Sequence, residues 1–454
     1  ALGRNTLAAQ NFTTSTSAYN VAAGFAAGAS VTTGINNTLI GSLAGDALTD
    51  ADSNVAVGYS TLSSDTKGGR AVAIGNFALF TQNFTSTNLN YNVAIGFNAG
   101  VSVTTGTANT LIGGLAGDAL TDADDNVVIG TAALSSDTLG SHTVAIGKNA
   151  LFAQNFTTAT DSNNTAVGHH AGIAVTTGVE NTLIGGLAGD ALTIGEKNVA
   201  LGLNALGAEV VGSRCVAIGH SALSTQSVTG SSVNAMRNVA VGFAAQSSVT
   251  TGFYNVSLGY QAGDDITDGQ RNICIGHDAD ISAGGNTNSI VIGDSITAAS
   301  NDFSFGKASN VVTCDFDADA AFSRSSDSRL KTNVANATLG LDFIKDLRPV
   351  TYRWKASADL DANDAELAHL RVADADGTII NHMTTDVTMH GLIAQEVKTA
   401  LDTASVSTFK GWHEDRFGVQ QISREMYVIP LIKAVQELST ALDAALARIT
   451  TLEG

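Results

Sequence analysis

The apolar residues of the first two thirds of the chain come in runs of three or four, rich in Val and Ile. Each run is closed by a glycine and bounded by Asn, Asp, Ser and Thr, as in Asn92-Val93-Ala94-Ile95-Gly96. Runs this short, with these boundaries, predict strands rather than helices. The closing glycines fall at 3, 24, 41, 58, 75, 96, 113, 130, 147, 168, 185, 202, 219, 242, 259, 276 and 293, so the spacing is 17 residues with one longer step in every four. The longer step is 21 residues three times and then 23, giving supercycles of 72, 72, 72 and 74 residues. A period this regular predicts a solenoid, whose units bury their apolar faces only by stacking on one another.

Because every unit runs in the same direction, the stacked strands are expected to be parallel. In Val72-Ala73-Ile74-Gly75 the outer two side chains point to one face and the middle one to the other. From Leu39 to Ala240 the middle position stays apolar (Leu39, Ala56, Ala73, Ala94, Leu111, Val128 and onward). A strand that is apolar on both faces is expected to be buried on both. One face fills the coil of its own chain; the other needs a partner, which three chains around an axis would supply. Seventeen rungs at about 4.8 Å each give a shaft of roughly 80 Å.

These repeats resemble the left-handed parallel β-roll heads of trimeric bacterial adhesins and the similar repeats of phage tail fibres, in which Asn-x-Ala-x-Gly units recur. The 17-residue period is somewhat long for that group.

Composition changes sharply at Ser325-Ser326-Asp327-Ser328-Arg329-Leu330-Lys331. The 325 residues before Ser326 contain no proline or tryptophan and ten Lys or Arg; the 129 that follow hold Pro349, Pro430, Trp354, Trp412 and thirteen Lys or Arg. Across the chain, 47 glycines and 14% charged residues argue against an ordinary enzyme core. A net charge of −19 without a basic run excludes nucleic acid and anionic membrane as expected partners, since both demand Lys or Arg. No apolar stretch approaches the roughly 20 residues that span a bilayer. Cys215, Cys274 and Cys314 form no CxxC pair and read as buried free thiols. No cofactor is implied. Ala1-Leu2-Gly3 already belongs to the repeat, so the natural N-terminus is expected to lie upstream, where it would join other tail proteins.

Several repeat positions invite a site. His169, His220 and His277 follow closing glycines at equivalent positions, and three-fold symmetry would turn one of them, with its two copies, into a metal-binding triad. Phe25, Tyr59, Lys148 and Asp294 occupy the same position elsewhere, so a solvent-facing column is the better reading and no metal is assigned. The aspartates between Asp46 and Asp52, and between Asp118 and Asp125, lack the glycine and closing glutamate of a calcium loop and read as turns. Asn11-Phe12-Thr13, Asn83-Phe84-Thr85 and Asn155-Phe156-Thr157 match a glycosylation sequon, but they recur because the supercycle does. The long loops offer Phe80, Phe84, Phe152 and Phe156 either as contacts for a sugar or as anchors packed on the shaft.

Four motifs follow the boundary: Ser326-Asp327-Ser328-Arg329-Leu330-Lys331; Leu347-Arg348-Pro349-Val350-Thr351-Tyr352; His390-Gly391-Leu392-Ile393-Ala394-Gln395-Glu396-Val397; and Ala434-Val435-Gln436-Glu437-Leu438. In this order they resemble the intramolecular chaperone, the self-cleaving peptidase S74 domain found at the C-terminus of phage tailspikes, endosialidases and neck or tail fibres. The resemblance implies that Ser326 is the nucleophile, Lys331 its general base, and the bond between Ser325 and Ser326 the one cut. A hydroxyl becomes a useful nucleophile only when a base takes its proton, and a lysine does so only where burial lowers its pKa.

At the end of the chain, Val428, Leu431, Val435, Leu438, Leu442, Ala445, Ile449 and Leu452 alternate at spacings of three and four, a heptad seam that predicts a short coiled coil. The expected fold is mainly β: a trimeric parallel β-solenoid shaft (1–305), a neck (306–325) and a small α+β chaperone domain (326–454) whose coiled-coil helix covers about 428–454. The expected function is a virion tail fibre or tailspike, a homotrimer assembled in the host cytoplasm that binds a host-surface glycan. Its one reaction would be a single-turnover Ser-Lys self-cleavage. A trimeric bacterial adhesin, or a tailspike that depolymerises polysaccharide, are the competing readings.

Overall fold

The computed structural model describes residues 1–228, 234–308, 310–317, 323–324, 328–371, 373, 377–379 and 385–453. The chain divides into two compact units, Ala1–Ser325 and Ser326–Gly454.

The first unit is a parallel β-solenoid. Three-residue strands stack in register rung upon rung, so that Val55, Ala56 and Val57 pair with Val72, Ala73 and Ile74, and these with Val93, Ala94 and Ile95. The middle residue of each strand is buried and its two flanking residues are half-exposed, as the alternation requires. The core therefore runs as a column of Ala, Leu and Val along the whole unit. Each strand ends at a glycine whose φ only glycine tolerates. Gly130 has φ +138, and a Cβ there would lie 2.5 Å from the carbonyl oxygen of Gly147 one rung on.

The buried turns are satisfied by a ladder of asparagines. Asn109 donates from Nδ2 to the Ala123 carbonyl at 2.7 Å and accepts on Oδ1 the backbone N–H of Asn126 at 3.1 Å; Asn126 repeats the pattern with Gly140 and Thr143. Every fourth rung lacks the asparagine, having Ala71, Thr143, Cys215 or Ser289 in its place. The first three of these gaps coincide with the longer loops, and there a buried acid and glutamine relay the ladder. Asp65 accepts from Gln82 Nε2 at 2.7 Å, and Gln82 Oε1 accepts from Asn92 Nδ2 at 2.9 Å. Asp137, Gln154 and Asn164 repeat this relay, and Glu209, Gln226 and Asn238 form it a third time. Buried polar groups must be paired, and this network pairs them where a plain repeat would leave an orphan.

The last parallel strand, Asp302–Lys307, turns back as an antiparallel hairpin with Asn310–Asp315, whose Val312 and Thr313 pair in turn with Arg324 and Ser323. The stretch expected to be a neck thus contributes a strand. A hairpin here covers the open edge that a solenoid would otherwise present.

The second unit is α+β. Helix α1 (Leu341–Asp346), helix α2 (Ala394–Thr403) and helix α3 (Val428–Glu453) accompany two small antiparallel ladders, Val350–Tyr352 with Met389–Gly391 and Trp412–Glu414 with Gln420–Ile422. Leu339, Phe343, Val397, Ala400 and Leu401 form its core, with Phe343, Phe409 and Tyr427 in mutual ring contact. Along α3 only Pro430 and Ala434 are buried. Leu431, Val435, Leu438, Leu442, Ile449 and Leu452 are at least 49% exposed, an apolar seam with no cover in the single chain.

Candidate functional site

The expected nucleophile Ser326 and its neighbour Ser325 lie outside the described residues. Lys331 follows a short 3-10 turn, Ser328–Leu330; its backbone N–H donates to the Ser328 carbonyl at 3.1 Å and its side chain is exposed.

The other three motifs tie elements of the unit to one another. The second and third meet as a strand pair, with Thr351 opposite His390. They are tied again by Arg348, whose Nε donates to Glu396 Oε2 at 3.1 Å while its Nη2 donates to Oε1, a bidentate pair that fixes two elements together. The fourth motif supplies Glu437, which accepts the backbone N–H of Leu341 at 2.7 Å and pairs with Lys433 at 2.8 Å. Those two donors hold the Glu437 carboxyl below its ordinary range. A side chain on Gly340 would collide with it, since a Cβ there would lie 2.3 Å from Oε2.

Residues 326–405 match the family described as the chaperone of endosialidase, peptidase S74. The match lies within the C-terminal unit and begins at its first residue. A β-solenoid followed by such a domain fits a phage tail-fibre or tailspike protein. No curated protein and no solved structure matches the chain. Among the described residues, no helix is long and apolar enough to cross a membrane.

In the solenoid the histidine column is exposed, as expected, and part of it is stacked. His220, Phe243, Tyr260 and His277 lie on successive rungs with ring centroids 5.3 Å apart and planes within 12° of parallel. His277 Nδ1 ends the stack 3.1 Å from Asp294. His169 stacks instead on its neighbour His170, at 3.7 Å.

Two of the loop aromatics are not sugar contacts. Phe84 and Phe156 are 5% and 6% exposed, drawn inward because their backbone N–H groups donate to the buried carboxylates of Asp65 and Asp137 at 3.1 and 3.0 Å. Phe152 remains 40% exposed.

Sequence reasoning missed one cluster. Carboxylate oxygens of Asp264, Asp265 and Asp280 lie within 4.8 Å of one another. Burial, and then a hydrogen bond with Asp264, push the Asp280 carboxyl up to about 8. Asp280 also accepts the backbone N–H groups of Asp265 and Ile281, at 2.8 and 2.7 Å. These residues are separated by a rung in sequence, and only knowledge of the stacking would have brought them together.

Proposed function

We propose that the chain is a homotrimeric phage tail-fibre or tailspike protein. Its solenoid contacts the host surface, and its C-terminal unit assembles the trimer and then releases itself. The observation that carries the reading is a coincidence of boundaries: the family match and the second compact unit both begin at Ser326, the expected nucleophile.

In the reaction, the Ser326 hydroxyl attacks the carbonyl carbon of Ser325 while Lys331 takes its proton. The C–O bond forms, the C–N bond breaks, and the departing Ser326 amine takes the proton from Lys331. Water then hydrolyses the resulting ester and regenerates the hydroxyl. Proximity favours the attack, because nucleophile and carbonyl belong to adjacent residues. Lys331 is exposed in the single chain. The burial a lysine base needs would come from the neighbouring chains, so that cleavage follows assembly.

The exposed seam of α3 supports association through a coiled coil, and the half-exposed flanking residues of every rung support a chain-to-chain contact along the shaft. Holding three chains in register reduces the loop-closure cost that slows non-local β assembly. Losing the chaperone afterwards leaves a fibre that is trapped kinetically.

Sedimentation of the intact chain tests the assembly: the reading expects three copies, and monomer or dimer for a variant carrying Leu438→Asp and Leu442→Asp. A wild-type monomer overturns it.

A further inference from the structure

Five residues before each closing glycine the chain turns through a left-handed residue, a conformation that favours Asn or Gly. Arg237, Tyr254 and Arg271 hold this position on three successive rungs of the fourth supercycle, with φ of 53, 61 and 57°. The same three rungs of the first supercycle carry Tyr19, Asn36 and Ser53, and those of the second carry no cation. The third has one, Lys197, held by Glu180 and Glu196 at 3.9 and 3.6 Å. The residue beside this column on the last of the three rungs also changes. It is Asp52, Asp124 and Glu196 in the first three supercycles and Gln270 in the fourth. A repeat that is otherwise copied closely thus gains two guanidinium groups and loses its carboxylate at one place.

The two cations are held in position. Arg237 lies 5.2 Å and Arg271 5.7 Å from the centroid of the Tyr254 ring, which is 38% exposed, and Arg237 also donates to the Tyr254 hydroxyl. Arg271 lies 5.9 Å from Phe253 as well and donates to Gln270 Oε1 at 3.3 Å. Among the described residues, neither guanidinium has a carboxylate within ion-pairing distance. Cation–π contact restrains both side chains and leaves their N–H edges for a ligand.

We propose that Arg237 and Arg271, with Tyr254 as the positioning residue between them, bind a carboxylated or sulfated saccharide chain. The inference deepens the host-attachment reading and rests on it. Guanidinium groups two rungs apart, roughly 10 Å, meet successive charges of an extended anionic polymer. Both arginines already lie against the Tyr254 ring, so a neutral sugar must compete with them to stack on it. A patch of two cations on a chain of net charge −19 is too small for nucleic acid, which needs a longer run of phosphate contacts.

The test titrates the full chain with oligogalacturonate, a heparin-derived oligosaccharide, neutral dextran of equal length and single-stranded DNA. The expected result is binding of the carboxylated chain, the sulfated chain or both, which identifies the acid, and none of dextran or DNA. Arg237→Gln and Arg271→Gln each weaken it at least tenfold. Tyr254→Phe retains binding, Tyr254→Leu weakens it, and Arg70→Gln, on another rung, leaves it unchanged. No binding of either acidic chain, equal binding of dextran or DNA, or wild-type affinity in both arginine variants overturns the proposal. Adsorption to encapsulated bacteria scores the attachment reading separately: wild-type adsorption that survives in Arg237→Gln and Arg271→Gln overturns the patch and leaves attachment standing, whereas its absence in wild type overturns attachment.

Discussion

Glu437, on the last helix, accepts the backbone N–H of Leu341, 96 residues earlier in the chain, at 2.7 Å. That bond joins the helix carrying the exposed seam to the start of the segment that packs the chaperone core, so folding of the core and presentation of the seam are coupled. The Glu437 carboxyl is held below its ordinary value of 4.5, first by the Leu341 N–H and then by Lys433. A depressed acid contributes stability that is present above its unfolded pKa and lost as pH falls through the folded one. Hydrogen exchange at the Leu341 amide should therefore accelerate on acidification below about pH 4.5, and Glu437→Gln should remove that dependence. Unchanged protection across this range contradicts the assigned role.

Asn126 makes three ladder contacts: to the Gly140 carbonyl, to the Thr143 N–H and to Asn109 Oδ1. Replacing it with alanine leaves buried partners unpaired, at a cost of about 1–3 kcal/mol. Because each rung touches only its neighbours, the loss should be local. Hydrogen exchange should show faster opening of the rungs around Gly130 and none near Gly24.

Asp46 and Asp118 each accept the hydroxyl of a serine one rung on, Ser63 and Ser135. The third copy has Gly207 at the serine position, and Asp190 Oδ1 is left buried without a partner. Burial accordingly raises the Asp190 carboxyl. Gly207→Ser should restore the pair and stabilise the shaft by about 1 kcal/mol, provided the Asn204 side chain swings away from the new Cβ, which would also lie 3.3 Å from the Asn204 carbonyl oxygen. A lower thermal midpoint contradicts this account.

The Asp280 carboxyl, raised to about 8, predicts the opposite slope from Glu437. Between its ordinary value of 3.8 and about 8 the folded chain binds the extra proton, so stability falls as pH rises through this window. The last rungs should open more readily at pH 8.5 than at pH 5.5, and Asp280→Asn should level the difference. Equal opening at both pH values counts against the shared proton.

The shaft was legible because its physics repeats. A left-handed glycine, an inward residue that is mostly Ala or Leu, and Val, Ile or Thr outside recur at a fixed spacing, and the strands pair where that spacing puts them. The seam from Leu431 to Leu452 was legible for the same reason, since heptad spacing fixes one helix face. The relay of Asp65, Gln82 and Asn92 was not, because its partners lie 17 and 10 residues apart and meet only once the rungs are stacked. Phe84 read equally well as an exposed or a buried aromatic; the Asp65 carboxylate beneath its N–H decides the matter. Arg237, Tyr254 and Arg271 fall 17 residues apart and so align in the sequence, but the contacts of both guanidinium groups with the Tyr254 ring appear only in the folded chain.

The central claim is a chaperone that cuts itself free at Ser326. Intact mass and a denaturing gel of freshly expressed protein, beside Ser326→Ala and Lys331→Ala, test it most directly. The account predicts that wild type separates into fragments meeting between Ser325 and Ser326 while both variants stay whole. A wild-type chain that remains at full length, or a variant that still cleaves, contradicts it.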